Sequence, residues 1–402
     1  MQLFADPLHN EFAGLATAWI AAGAADYGEV MAIAEAFPED GDDAAYYDAW
    51  SGAAGRHVER ADAALKTGHE ATAQGHFFRA VAFYGVAIKP LFGTPVNPRM
   101  TEGFENCTEA FDRAIALGPR QAERLTVPFD GYELPTLFVP AVGSAPGEPR
   151  PVVIVCNGYD GTLPENHLGI GKAATERGYH VVLFDGPGQG ALLVRDGITL
   201  IPDWERVVTA VVDAIIDRDD VDSGRIALNG WSLGGYLAPR AATAEHRLAA
   251  VVADPALWGI IDGMRGLVTA LGWPELAAGL PDLPADAAAE MTSKIMADRG
   301  LTWRIVKRGF WVHGVEDLQG YIRAAERFTL TGRADDIRCP LLATMSEGDP
   351  LASGAEAFVD QLSCPTTLLK FTAAEGAGEH CEIQNRWLLN GSVLDWLDDT
   401  LA

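Results

Sequence analysis

The sequence predicts an α/β fold: a mostly parallel sheet with helices on both faces, preceded by an α-helical N-terminal region. Three observations predict it. From residue 152 onward, short apolar runs alternate with helix-compatible segments, as strands joined by helical crossovers do. Before residue 120 that alternation is absent and alanine-rich amphipathic stretches dominate. Midway along the chain, an apolar run at 226–228 enters Gly230-Trp231-Ser232-Leu233-Gly234, and a helix-compatible run at 236–246 follows at once.

In order, helices are expected at 11–23, 27–37, 45–68, 70–89 and 101–117. Phe77, Ala80, Val81 and Tyr84 recur at spacings of three and four, which marks a buried stripe. Pro38, Gly68 and the proline-rich stretch 90–98 separate the helices. No fixed period links them, so a repeat array is rejected. From 124 to 139, short β-like runs flank Asp130-Gly131, an antiparallel hairpin at a sheet edge. The runs at 152–156 and 180–184 are continuously apolar, as strands buried on both faces are. Helices are expected at 165–178 and 202–217, and further strands at 226–228, 249–253, 341–345 and 366–371. A last helix spans 387–401. The stretch of about 258–335 is helical and poorly periodic, and reads equally as extra core helices or as a lid. The domain organisation expected is therefore a helical cap, 1–122, and an α/β domain, 123–402, with that insertion.

Composition removes several function classes. The chain has 402 residues, 48% of them hydrophobic, enough for a substantial core. Its formal net charge of −26 repels phosphate backbones and anionic membranes, so neither nucleic acid nor membrane is an expected partner. The five cysteines, Cys107, Cys156, Cys339, Cys364 and Cys381, are scattered without a C-x-x-C pair. That argues against a disulfide framework or zinc site and fits a reducing compartment. The first residues lack a basic, then apolar leader, and no apolar run approaches the roughly 18 residues of a membrane span. A cytoplasmic protein is expected. Its oligomeric state is open, with a homodimer as one arrangement.

The chemistry centres on Ser232. Strand, glycine-flanked serine and helix form the context of a nucleophile elbow, a strained turn that lifts a hydroxyl above a sheet. The N–H of Leu233 then lies at a helix N-terminus, ready to donate to an oxyanion. Serine needs a base, which near neutral pH is histidine, and a third group to orient that base. His380, in Gly376-Ala377-Gly378-Glu379-His380-Cys381, follows the strand at 366–371. Asp349, in Glu347-Gly348-Asp349-Pro350-Leu351, follows the strand at 341–345, with Glu347 as its competitor. The order Ser, acid, His and the placement beyond strand ends both fit. His246 lies near the end of the helix after Ser232, His313 in the insertion, and His9, His57, His69 and His76 in the helical region. His167 and His180 precede the serine. A second oxyanion donor is expected from Asn157-Gly158-Tyr159, where Gly158 permits close approach and Tyr159 supplies the N–H. Asp185-Gly186-Pro187-Gly188-Gln189-Gly190 matches neither a P-loop nor a dinucleotide fingerprint and reads as a tight turn. No cofactor or metal is expected.

The Asp-Gly-Pro-Gly-Gln-Gly turn, the Gly-Trp-Ser-Leu-Gly-Gly elbow, the Asp-Pro-Leu loop and the Gly-Glu-His-Cys loop resemble the α/β-hydrolase superfamily over roughly residues 124–402. With Tyr47-Asp48-Ala49-Trp50 and Phe78-Arg79-Ala80 before Tyr84, they resemble one subgroup. It includes 2,6-dihydroxypseudooxynicotine hydrolase and the fungal hydrolases that shorten pigment polyketides, and the fermentation-respiration-switch proteins are related. The resemblance implies Ser232, Asp349 and His380 as a catalytic triad beneath the helical cap. It also implies hydrolysis of a carbon–carbon bond next to a ketone, and an accessory acid for which Asp262 is the nearest match. The sequence departs from the subgroup at Asn157-Gly158, where His-Gly or Gly-Gly is more usual. The expected activity is cleavage of an acyl–carbon bond in a β-dicarbonyl or aryl-ketone, polyketide-like substrate. Carboxylester hydrolysis, acyl transfer or elimination in secondary metabolism, and a non-enzymatic binding role are the alternatives.

Overall fold

The computed structural model describes residues 2–402. Among the described residues five α-helices precede the first strand: Pro7–Ala18, Tyr27–Ala36, Asp43–Lys66, Glu70–Ile88 and Pro98–Ala116. The first and fifth begin earlier than periodicity predicts because their caps lie upstream of the apolar stripe. Asp6 accepts from the His9 N–H and Asn97 from the Arg99 N–H, each with proline in the first turn. Helix Glu70–Ile88 packs between Asp43–Lys66 and Pro98–Ala116. Its last nine residues are buried all round, wider than the predicted stripe, as befits a central helix.

Ten strands follow: β1 (Glu123–Leu125), β2 (Pro128–Phe129), β3 (Tyr132–Glu133), β4 (Thr136–Val139), β5 (Arg150–Cys156), β6 (His180–Phe184), β7 (Val221–Trp231), β8 (Ala250–Asp254), β9 (Leu341–Ser346) and β10 (Thr366–Phe371). Eight form one sheet in the order β1-β4-β6-β5-β7-β8-β9-β10. The predicted hairpin is present with its tip split off. β1 and β4 join the large sheet antiparallel, while β2 and β3 pair separately. From β6 to β10 every neighbouring pair is parallel. Helices cover both faces, so β5, β6 and β8 carry unbroken apolar runs instead of alternation.

Register fixes where the loops emerge. Cys156 on β5 pairs with Gly230 on β7, which pairs with Ala253 on β8. The chain therefore leaves three neighbouring strands at one level, at Asn157, Ser232 and Pro255. The loops after β9 and β10 open on the same rim, where ligands bind in parallel sheets.

Between β8 and β9 the chain leaves the sheet for helices that include Ile260–Ala270, Ala285–Ala297 and Leu318–Glu326, with a wide π-helical turn at Thr302–Gly309. This segment packs against the N-terminal helices. Trp303 stacks edge-on to Phe12 with centroids 4.8 Å apart and donates its indole N–H to the Lys89 carbonyl at 2.8 Å. Among the described residues no helix is long and apolar enough to cross a membrane.

Candidate active site

The turn after β7 is held from three sides. Ser232 has a φ of 59°, left-handed for a residue with a side chain, at a cost of about 1–2 kcal/mol. Its N–H donates to the Asp254 carbonyl at 2.6 Å, and its carbonyl accepts from Gly235 at 2.8 Å. A Cβ at Gly230 would collide with the Gly234 carbonyl, so strand and helix cross there only because that position is glycine. Helix Gly234–Ala242 then runs back beneath the sheet.

Ser232, His380 and Asp349 lie in one hydrogen-bonded line. Ser232 Oγ is 2.9 Å from His380 Nε2, and His380 Nδ1 is 2.6 Å from Asp349 Oδ2. The other Asp349 oxygen accepts from the Leu351 N–H at 2.9 Å, which fixes the carboxylate plane. With Nδ1–H donated to the carboxylate, Nε2 is left to accept the serine proton. Glu347 turns elsewhere, accepting from the Ala373 N–H at 2.8 Å. The Gly348 N–H donates to the Gly378 carbonyl at 2.8 Å, binding the acid loop to the histidine loop. Crowding by protein lowers the His380 pKa, but the hydrogen bond and charge of Asp349, with Asp254 and Asp160, outweigh it and raise the imidazole above its ordinary range. The side chain is still 39% exposed, so a ligand can reach it.

The loop after β5 lies against the serine. A Cβ at Gly158 would stand 3.2 Å from Ser232 Oγ. Gln189 determines which way this loop faces: its side-chain amide donates to the Asn157 and Gly158 carbonyls at 2.8 and 3.1 Å. In a trans peptide the N–H points opposite the C=O, so pinning the Gly158 carbonyl turns the Tyr159 N–H the other way. Among the described residues neither the Tyr159 nor the Leu233 N–H has a protein acceptor. The Gln189 amide oxygen accepts from Gly186 at 3.1 Å, while Asp185 accepts from Asn157, Leu163 and Ala191. The Asp185-to-Gly190 turn, expected only as a tight turn, is thus the brace of this loop. Burial pushes the Asp185 carboxyl up to about 6, against the pull of those donors.

Two further regions grip the same loop. Lys89, at the end of the fourth helix, donates to the Asp160 carbonyl at 2.6 Å and pairs with Glu165 at 2.9 Å, both side chains only 2% exposed. From the insertion, Arg308 lies over the Tyr159 ring and 3.4 Å from Asp160, and the Tyr159 hydroxyl meets His313 at 2.6 Å and Tyr321 at 3.3 Å. Burial lowers His313 to about 4, leaving it neutral near pH 7. Of these residues Tyr159 is expected from sequence for its N–H, and His313 only as a histidine of the insertion; the others carry no sequence signal. Asp262 lies on helix Ile260–Ala270. It pairs with Arg265 at 2.8 Å and makes no hydrogen bond to Ser232, Asp349 or His380. Among the described residues no group of three or more His, Cys, Asp or Glu side chains is placed to hold a metal ion.

An elbow serine on a parallel sheet, faced by histidine and carboxylate from the next strand ends, is the arrangement of one large class, and the sequence agrees. The chain belongs to the alpha/beta hydrolase family, whose pattern matches residues 152–385. Its relatives narrow the grouping. A hydrolase of Aspergillus aculeatus, acrC, is 32% identical over 344 residues, covering 80% of this chain and 78% of that protein. The 20-hydroxy-prefusarin hydrolase of Gibberella moniliformis is 29% identical over 400 residues, covering 94% of this chain and 93% of that protein. The crystal structure of 2,6-dihydroxy-pseudo-oxynicotine hydrolase has the same fold from end to end. Its TM-score is 0.75 at 21% identity, covering 96% of this chain and 95% of that one. The subgroup resemblance drawn from the four loops thus agrees with the relatives found.

Proposed function

We propose that this chain is a serine-nucleophile hydrolase that cleaves an acyl–carbon bond of a β-dicarbonyl or aryl-ketone, polyketide-like metabolite through an acyl-enzyme on Ser232. The observation that carries the reading is the line from Ser232 Oγ through the His380 imidazole to Asp349. As Oγ attacks the ketone carbon, His380 Nε2 takes its proton and Asp349 stabilises the imidazolium. The N–H groups of Leu233 and Tyr159 receive the oxyanion. Collapse breaks the acyl–carbon bond, and the enolate-like carbon leaves with the proton from the imidazolium. Water, deprotonated by the same histidine, then hydrolyses the acyl ester and releases a carboxylic acid. The relative named for 20-hydroxy-prefusarin supports a small-molecule substrate, and the subgroup resemblance supports a carbon–carbon bond as the target. The first 122 residues are taken as a cap over the site.

One observation favours a second reading. The accessory acid that the resemblance implies, Asp262, pairs with Arg265 and makes no hydrogen bond to Ser232, Asp349 or His380, and an ordinary carboxylesterase needs no such acid. A fluorophosphonate probe is expected to label Ser232 in the wild type and nothing in Ser232→Ala. A panel of β-diketones is expected to turn over faster than simple p-nitrophenyl esters. Fast ester turnover with inert diketones would assign the carboxylesterase reading.

A further inference from the structure

Beneath the His380 loop lies a second set of acids. Asp254, at the end of β8, and Glu382, two residues past His380, are 2% and 0% exposed, and Arg386 beside them is 3% exposed. Asp254 Oδ1 accepts from Thr344 Oγ1 at 3.0 Å and Oδ2 from Arg386 Nη1 at 3.3 Å. Glu382 Oε1 accepts from Ser346 Oγ at 2.7 Å, while Oε2 is buried with no donor in reach. The one guanidinium beside these buried carboxyls lies on Asp254, and Glu382 has no ion pair among the described residues. Neighbouring buried carboxyls do not both ionise against a single cation. The proton belongs on Glu382, whose unpartnered oxygen then has a hydrogen to give.

The pair bridges the two halves of the proposed triad. The Asp254 carbonyl holds the Ser232 N–H at 2.6 Å, and its side chain accepts from Arg386, which also holds the Cys381 carbonyl of the loop that carries His380. On that loop Cys381 and Glu382 both have positive φ, 53° and 47°. Residues with side chains keep such a conformation only where their surroundings over-determine it. Arg386 closes the tether by donating to the Cys381 carbonyl at 2.9 Å.

We propose that Asp254 and Glu382 share one proton beneath the active-site rim and act together as positioning residues, locking the His380 loop to the Ser232 elbow. The proposal rests on the triad reading. Burial first, and then the charge of Asp254, push the Glu382 carboxyl far above the carboxylate range. The charged and titratable groups facing His380 are Asp349, Asp254 and Asp160, and those facing Glu382 are Asp254, Arg386 and the Cys381 thiol, with Ser346 donating. Asp254 therefore supports the imidazolium through its charge, and Glu382 holds Asp254 in place through its proton.

The test follows the rate of Ser232 labelling by a fluorophosphonate against pH in the full-length protein. Glu382→Gln, which keeps the shape and a donor, should label within about threefold of wild type with its acid limb in place. Glu382→Ala should label about 10- to 100-fold more slowly. Asp254→Asn should move the acid limb to lower pH. A labelled wild type with Glu382→Gln as slow as Glu382→Ala, or with Asp254→Asn leaving the acid limb unmoved, overturns the proposal alone. A wild type that takes no label removes the triad reading and this one with it. Independently of variant folding, the wild type should show a protonated-carboxyl infrared band at about pH 8, above the ordinary carboxylate range. That band should vanish in Glu382→Gln, and its absence from the wild type equally overturns the proposal.

Discussion

Replacing Gly158 with alanine tests the oxyanion side of the site without touching a functional side chain. The added methyl would lie 2.7 Å from Ser232 Cβ, 2.9 Å from the Trp231 carbonyl oxygen and 3.2 Å from Ser232 Oγ. Ordinary carbon contacts lie at about 3.5–4.0 Å, so the backbone must withdraw by roughly an ångström. Gly158 is not in the left-handed region, so alanine adds no backbone strain and the effect is contact alone. Withdrawal is opposed by Gln189 on two carbonyls and by Lys89 on a third. If the loop moves, the Tyr159 N–H moves with it, and loss of one such donor costs about 2.7–4 kcal/mol, a fall of about 10²–10³ in kcat. If the loop stays, overpacking costs about 1–3 kcal/mol of stability instead. Steady-state kinetics on the best ester or diketone, read beside the melting temperature, separates the two. A variant with kcat within about threefold of wild type and an unchanged Tm would refute the placement of this loop against the nucleophile.

Asp349→Asn should keep the fold and lower kcat by about 10³–10⁴, because the amide no longer fixes the histidine tautomer; a smaller loss would mean that Glu347 or another acid takes over. The pH profile of kcat/KM should have its acid limb above the ordinary histidine value of about 6.5, since the folded imidazole is raised and only its neutral form is a base. The linked stability runs the other way: His380 contributes fully below about pH 6.5, and the contribution is lost as pH rises through the folded value. Lys89→Met should cost about 3–5 kcal/mol by stranding Glu165 as a buried charge, and Lys89→Met with Glu165→Gln should recover most of the melting temperature.

The residues in the hydrogen-bonded line were legible because each sits in a short local pattern: a serine between glycines after an apolar run, and an aspartate and a histidine in glycine-bearing loops beyond later strands. The alternation of apolar runs with helical segments was enough to put those loops on one rim. What supports them was not legible. Gln189 lies in a turn whose glycines signal only a tight bend, and its target is 31 residues away on another strand's loop. Arg308 and Tyr321 lie in the insertion, and the loop they meet is 148 and 162 residues away along the chain, a pairing no local pattern reveals. Glu382 adjoins His380 in sequence, but its meaning comes from complete burial, which no pattern in an acidic loop reveals. Asp262, suggested by position along the chain, pairs with Arg265 three residues on.

The Lys89–Glu165 pair ties the first hundred residues to the loop beside the nucleophile. A chimera that exchanges the N-terminal helices between relatives therefore cannot treat them as a detachable selectivity module. Where the incoming helices lack a lysine at position 89, Glu165 loses its buried partner and the Asp160 carbonyl its donor.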